Sequence, residues 1–183
     1  MPSANTTTTP LASLRVSRHQ IPAHGLLPNT SLQHRPLLIY HSAFPGSSSS
    51  PSAIESHLAS VGVVTPRWRY TMYPETHFHS TTHEVLCVSS GRARLCFGGE
   101  DNAGRVEPVV RAGDVVVVPA GVAHRLLEDM DGGFQMVGSY PADVGEWDMC
   151  YGEPGEGAKV EGIKGLGWFE RDPIYGDEGP VLE

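Results

Sequence analysis

An all-β fold, an antiparallel sandwich or barrel, is predicted by three observations. Seven short runs rich in β-branched and aromatic residues follow one another after residue 65: RWRYTMY, HEVLCV, RARLCF, VEPVV, DVVVV, AHRLL and FQMVGSY. Gly, Pro or Asp separates them at hairpin spacing, too close for intervening helices. Only one segment of the chain carries a helical pattern. No internal repeat is visible, and 183 residues fit one barrel with arms better than two barrels.

Residues 1–12, rich in Ser, Thr and Pro, read as a disordered tail. Residues 13–65 read as an N-terminal arm. In it, a short apolar stretch from Leu14 is broken by Pro22, Gly25 and Pro28, and Pro36 introduces LLIY. The helix is expected over 53–61, with Ser52 and Glu55 as a capping box, Ile54, Leu58 and Val61 on one face, and Gly62 as the stop. Residues 66–140 form the barrel core. GGEDNAG at 98–104 has the composition of a hairpin turn. Residues 115–118 are apolar at both parities, so this strand is covered on both faces, outside by the arm or by a second subunit. After Pro141 the chain carries 11 acids against three bases, and residues 141–183 read as an acidic, solvated arm packed on the barrel. Its WFERDPIYGDEGP segment either caps the barrel or packs outside it.

Composition excludes several classes. The formal charge of −8 has the wrong sign for binding a phosphate backbone, and no apolar run approaches the roughly 18 residues that span a bilayer. Neither nucleic acid nor membrane is expected as a partner. Cys87, Cys96 and Cys150 cannot all pair and form no CxxC, so a reducing compartment is expected, with Cys87 and Cys96 as packing residues. No charged region precedes an apolar core, so no secretory signal is read; the first 54 residues lack acids, which permits a transit peptide, but the opening MPSANTTTTP reads better as a tail, and the cytoplasm is the expected location.

Chemistry concentrates in HFHSTTHE. On a strand, residues two apart share a face, so His77 and His79 present two imidazoles in one direction. Glu84 has the opposite parity and joins them only if Ser80–His83 turns or bulges. GDVVVVPAGVAH adds His124 after a strand and a turn. His83 is the alternative to Glu84 as the fourth ligand. His19, His24, His34, His41 and His57 have no partner at chelating spacing and read as structural.

These residues resemble the cupins. The first cupin motif is matched by His77, His79, Glu84 and Gly91, and the second by Gly113, Pro119, Gly121 and His124, with 21 residues between them. Thr71 stands where the first motif opens with Gly, and Glu128 where the second ends with Asn. Neither position usually holds a metal ligand, so the departures bear on loop geometry. HxHSTTHEVL, GDVVVxPAGVxH and DPxYGxxGP are also similar to a monocupin subgroup, the YjlB-like proteins, over most of the chain. The resemblance implies a jelly-roll barrel (double-stranded β-helix), often a homodimer, holding one divalent metal on His77, His79, Glu84 and His124. It implies no particular reaction.

Three imidazoles and a carboxylate suit Fe or Mn first, with Zn, Ni, Co and Cu also possible. Such a site supports either Lewis-acid isomerase or lyase chemistry, or dioxygenase or oxidase chemistry with a redox metal, on a small oxygen-rich molecule that chelates the ion. The alternative is a non-catalytic module that binds a small ligand or metal. If the parity of His77 continues back through Pro74, Arg67, Arg69, Thr71 and Tyr73 face inward, making Arg69 and Tyr73 candidate catalytic residues beside Glu84. If Pro74 breaks the parity, the arginines face solvent. Phe97, Leu126, Phe134 and Met136 are candidates for an apolar wall.

Overall fold

The computed structural model describes residues 6–183. All seven expected strands are present: β3 (Val64–Tyr70), β4 (Glu84–Ser90), β5 (Arg92–Phe97), β6 (Val109–Arg111), β7 (Val115–Val118), β8 (His124–Asp129) and β9 (Gln135–Pro141). The arm adds β1 (Arg15–His19) and β2 (Leu37–His41). They form two antiparallel sheets, one of six strands in the order β1-β2-β7-β4-β9-β3 and one of three in the order β6-β5-β8. This is the jelly-roll arrangement. The non-sequential order places β7, from late in the chain, between β2 and β4. The barrel therefore reaches back to Arg15, and part of the expected arm is structural sheet.

Alternation along each strand divides the apolar residues into two layers. Leu37, Ile39, Leu86, Val88, Val116 and Met136 face Ala93, Leu95 and Phe97 of the small sheet and fill the barrel. Leu38, Tyr40, Val85, Cys87, Val115 and Val117 point outward and are buried as well. What covers them is the chain itself: Ile54 and Leu58 of helix α1 (Pro51–Val61), together with Phe44, Phe169, Ile174 and Val181. The question left open by residues 115–118 is thus answered within one chain. Burying a side chain of this size contributes about 1.5–3 kcal/mol, so this outer layer is a second core rather than a coating.

Helix α1 begins two residues earlier than expected. Ser50, not Ser52, is the N-cap, accepting from the Ala53 N–H at 3.3 Å, and Pro51 occupies the first turn, where its missing N–H costs nothing. Glu55 is drawn to Arg69 instead of closing a capping box. Gly62 ends the helix with φ +76° and donates to the Leu58 carbonyl, as expected. A second helix, α2 (Gly157–Gly162), lies in the acidic arm where none was foreseen.

Residues 6–12 of the expected tail are ordered. Residues 1–5 lie outside the described residues, but Thr6 donates to the Ala53 carbonyl, the Thr9 N–H bonds Ala43, and Leu11–Ser13 form a 3-10 turn. The C-terminal segment packs on the outside of the barrel. Its anchor is Asp172, which accepts from the Tyr40 hydroxyl at 2.7 Å and from the backbone N–H groups of Ile174, Tyr175 and Val181. All three cysteines are free and buried. Burial pushes the Cys87 thiol up, and burial together with Asp148 pushes Cys150 up to about 12. No helix among the described residues is long and apolar enough to cross a membrane.

Candidate metal centre

His77 and His79 lie on a short extended segment that pairs with the first residue of β8 and with the turn before it. The His77 N–H bonds the His124 carbonyl at 3.2 Å, the His124 N–H returns to His77 at 2.8 Å, and the Gly121 N–H bonds the His79 carbonyl. This pairing sets His77 opposite His124 on one face, while Phe78 between the two ligands turns the other way and pairs with Cys150. Gly121 makes the approach possible: it has φ +91°, and a Cβ there would come within 3.2 Å of the Asn29 carbonyl.

Each of the three rings has its Nδ1 against a backbone carbonyl: Glu75 for His77 at 2.8 Å, Asp148 for His79, and Val122 for His124 at 2.9 Å. A carbonyl oxygen only accepts, so every Nδ1 carries a proton, and in the neutral form of each ring Nε2 presents a lone pair inward. The three rings offer nitrogens within 4.8 Å of one another, all buried.

Glu84 opens β4 and joins them from the barrel floor. The expected turn between His79 and Glu84 is real. Asp148 makes it, accepting from the Ser80 N–H and hydroxyl and from the Thr81 N–H. One carboxylate oxygen of Glu84, Oε1, accepts from the Tyr140 hydroxyl at 2.9 Å. The other, Oε2, lies 3.5 Å from His79 Nε2 and 3.4 Å from His124 Nε2, fully buried and without a hydrogen-bond partner. Lone pairs on two nitrogens facing a buried carboxylate oxygen repel unless a cation lies among them. The donor set and its geometry therefore fit a divalent metal ion.

The titration shifts differ among the rings. Burial first, then the charge of His124, lowers His77 to about 3, so its ring stays neutral in mild acid. Burial alone would raise Glu84 and lower His79, but each overrides it for the other: Glu84 is held well below the usual carboxylate range and His79 is raised.

His83 is not a ligand. Its Nδ1 accepts from the Ala120 N–H at 2.9 Å and its Nε2 faces the Gly167 carbonyl at 2.8 Å, so both nitrogens are used on the outer side, against Trp168 and Phe169.

The centre lies in a cavity of about 290 Å³ whose wall includes Trp68, Met72, Leu86, Met136, Trp147 and Met149. Of the expected wall residues only Met136 lines it. Phe97 and Phe134 are buried in the barrel core and Leu126 packs against it. The inward arginines are a correction. Residues 71–76 leave the strand, so parity does not carry back from His77, and the β3–β9 register shifts between Pro66 and Trp68. Trp68 takes the inward place, lying across Gly138, where a Cβ would meet its ring at 2.0 Å. Arg69 points outward, its guanidinium bonded twice to Glu55 at 2.7 and 2.8 Å. Tyr73 stands at the rim, half-exposed, with its ring 5.7 Å from that of His77.

Sequence reasoning missed Tyr140, Trp147 and Asp148. Tyr140 donates to Glu84, accepts from the Trp68 indole N–H at 2.9 Å and stacks on Trp147 at 4.6 Å. Period-2 alternation from Met136 would have placed Tyr140 inward; nothing in the sequence points to Asp148 or Trp147.

Residues 69–137 match the family described as Cupin domain. Over 163 residues the chain is 34% identical to an uncharacterized Bacillus subtilis (strain 168) protein, YjlB, covering 88% of this chain and 92% of that one. The chain belongs to the cupin family. Among solved structures, this cupin is similar to coconut allergen cocosin, with TM-score 0.36, 13% identity, and coverage of 80% of this chain and 30% of that one. It is also similar to a mutant of Bacillus subtilis oxalate decarboxylase, with TM-score 0.36, 19% identity, and coverage of 63% and 27%. The cupin spans less than a third of either structure's chain.

Proposed function

We propose that this cupin is a metal-dependent enzyme acting on a small oxygen-rich molecule that chelates a divalent ion held by His77, His79, Glu84 and His124. The observation that carries this reading is the unpartnered, buried Oε2 of Glu84, set among inward Nε2 lone pairs in a cavity that a small molecule can enter. Structural metal sites are closed by protein ligands, whereas this one adjoins open volume, as catalysis needs. Iron or manganese is favoured for three imidazoles and a carboxylate; zinc, nickel, cobalt and copper also suit the donors.

A bound divalent ion supplies Lewis-acid charge, or a redox couple if the metal has one, to the oxygens of a chelating substrate. The residues of the chain do the rest. Carbonyls of Glu75, Val122 and Asp148 fix the imidazole tautomers, and Tyr140 fixes the Glu84 carboxylate. Trp68, Trp147 and Met149 give the cavity beside the centre an apolar wall. Tyr73 at the rim is placed to meet the substrate, whereas Arg69, bound to Glu55, ties β3 to α1.

Elemental analysis of tag-free protein, with and without His77→Ala, tests this. Near-stoichiometric first-row metal in the wild type and its loss in the folded variant are expected. A redox metal leads to oxygen-uptake screens and dioxygenase or oxidase chemistry, and zinc or nickel to isomerase or lyase screens. If neither protein holds metal after reconstitution, the enzyme reading is overturned in favour of a non-catalytic ligand-binding module.

A further inference from the structure

Charge limits which chelators this cavity can accept. Three imidazoles with their Nδ1 protons engaged are neutral ligands, so a divalent ion held by them and one carboxylate keeps a single net positive charge. A singly charged chelator neutralises that centre. A doubly charged one leaves a surplus anion that the wall would have to offset, because unpaired charge in a low-dielectric cavity is costly.

The wall has no cation to offer. Among the described residues that line the cavity, Arg69 is the only Lys or Arg, and its guanidinium is engaged with Glu55 on the outer helix. Arg67, on the shifted stretch of β3, reaches Glu146 at 3.4 Å and lies over the Trp147 ring, 5.5 Å from its centroid. The Tyr140 hydroxyl is already shared between Glu84 and Trp68. What remains is indole, thioether and leucine surface, with only the neutral hydroxyls of Tyr70, Thr71 and Tyr73 beside it, which suits a flat, largely apolar body. At about 290 Å³ the cavity is at the small end of ligand pockets, which start at roughly 300 Å³.

We infer that the substrate is a monoanionic, bidentate oxygen chelator carried on a small, flat, apolar body, of the hydroxyketone, diketone or catechol kind, and not a dicarboxylate. This rests on the metal centre proposed above and goes further by fixing the charge and polarity of what binds there. Nothing in the inference depends on which transition metal is present, since any divalent ion leaves the same net charge.

The test uses full-length protein loaded with metal, its occupancy first established by elemental analysis. It is then titrated calorimetrically with tropolone, a singly charged ring chelator, and with oxalate, a doubly charged one without apolar surface. Tropolone is expected to bind at least about tenfold more tightly, a difference of roughly 1.4 kcal/mol, and to quench the fluorescence of Trp68 and Trp147. Oxalate binding as tightly or more tightly overturns the inferred substrate class while leaving the metal centre intact. Binding of neither chelator to metal-loaded protein overturns it as well. Failure to take up metal instead overturns the metal reading on which it rests, so the two failures are distinguishable.

Discussion

Glu84 is held from both sides: His79 and His124 approach one carboxylate oxygen, and the buried Tyr140 hydroxyl donates to the other. Tyr140→Phe removes that donor and also strips the Trp68 indole N–H of its acceptor. Groups that orient metal ligands are typically worth about 10–100-fold in affinity. The variant is therefore expected to bind metal about 10–100-fold more weakly, measured by competition with a chromophoric chelator. Each polar group left unsatisfied costs about 1–3 kcal/mol, and a corresponding fall in unfolding free energy is expected in urea titrations. A variant with unchanged metal affinity would show that Glu84 is placed by the barrel alone. The four proposed ligands were legible in the sequence, because HxH and the spacings to Glu84 and His124 lie within two contiguous stretches. Tyr140 and Asp148 were not, since Asp148 meets His79 across 69 residues of chain and only the fold brings them together.

Helix α1 shows how one residue redefines an element. Ser52 and Glu55 have the spacing of a capping box, but Pro51 sits between Ser50 and Ser52 and is favoured in the first turn, which moves the cap to Ser50. Loss of an N-cap costs about 0.5–2 kcal/mol. Ser50→Ala is expected to destabilise by about 1 kcal/mol and Ser52→Ala by less than about 0.5 kcal/mol, compared by chemical denaturation. The reverse order would restore the capping box. Strands were easier to read, since all seven runs after Pro66 are strands in the structure. Their facing was harder. In β3 the register shift and the irregular residues 71–76 turn Trp68 inward and Arg69 out, and neither has a signature in residue types.

At the scale of the molecule, three layers stack: the small sheet, the six-stranded sheet, and an outer layer of α1 with the terminal arms. Asp172 fastens the last layer by accepting from Tyr40 and three backbone N–H groups. Asp172→Ala leaves several of these buried donors unpaired and is expected to cost roughly 3 kcal/mol or more. The anchor sits on the far side of the sheet from the histidines, so the folded variant is expected to keep its metal stoichiometry. Thermal denaturation with parallel elemental analysis checks both. Metal loss in a still-folded variant would mean that the outer layer supports the centre as well as the fold.

The sequence by itself determined the all-β class, the strands, the doubly buried β7 and the ligand-type residues, because alternation, turn composition and motif spacing are local properties of the chain. Tertiary structure alone decided that the chain covers its own outer face, that His83 packs outward while Glu84 faces the histidines, and that the arginines of β3 pair with Glu55 and Glu146 instead of facing the histidines. These depend on pairings between residues far apart in sequence, where a bulge, a carbonyl or a carboxylate from another segment decides which way a side chain points.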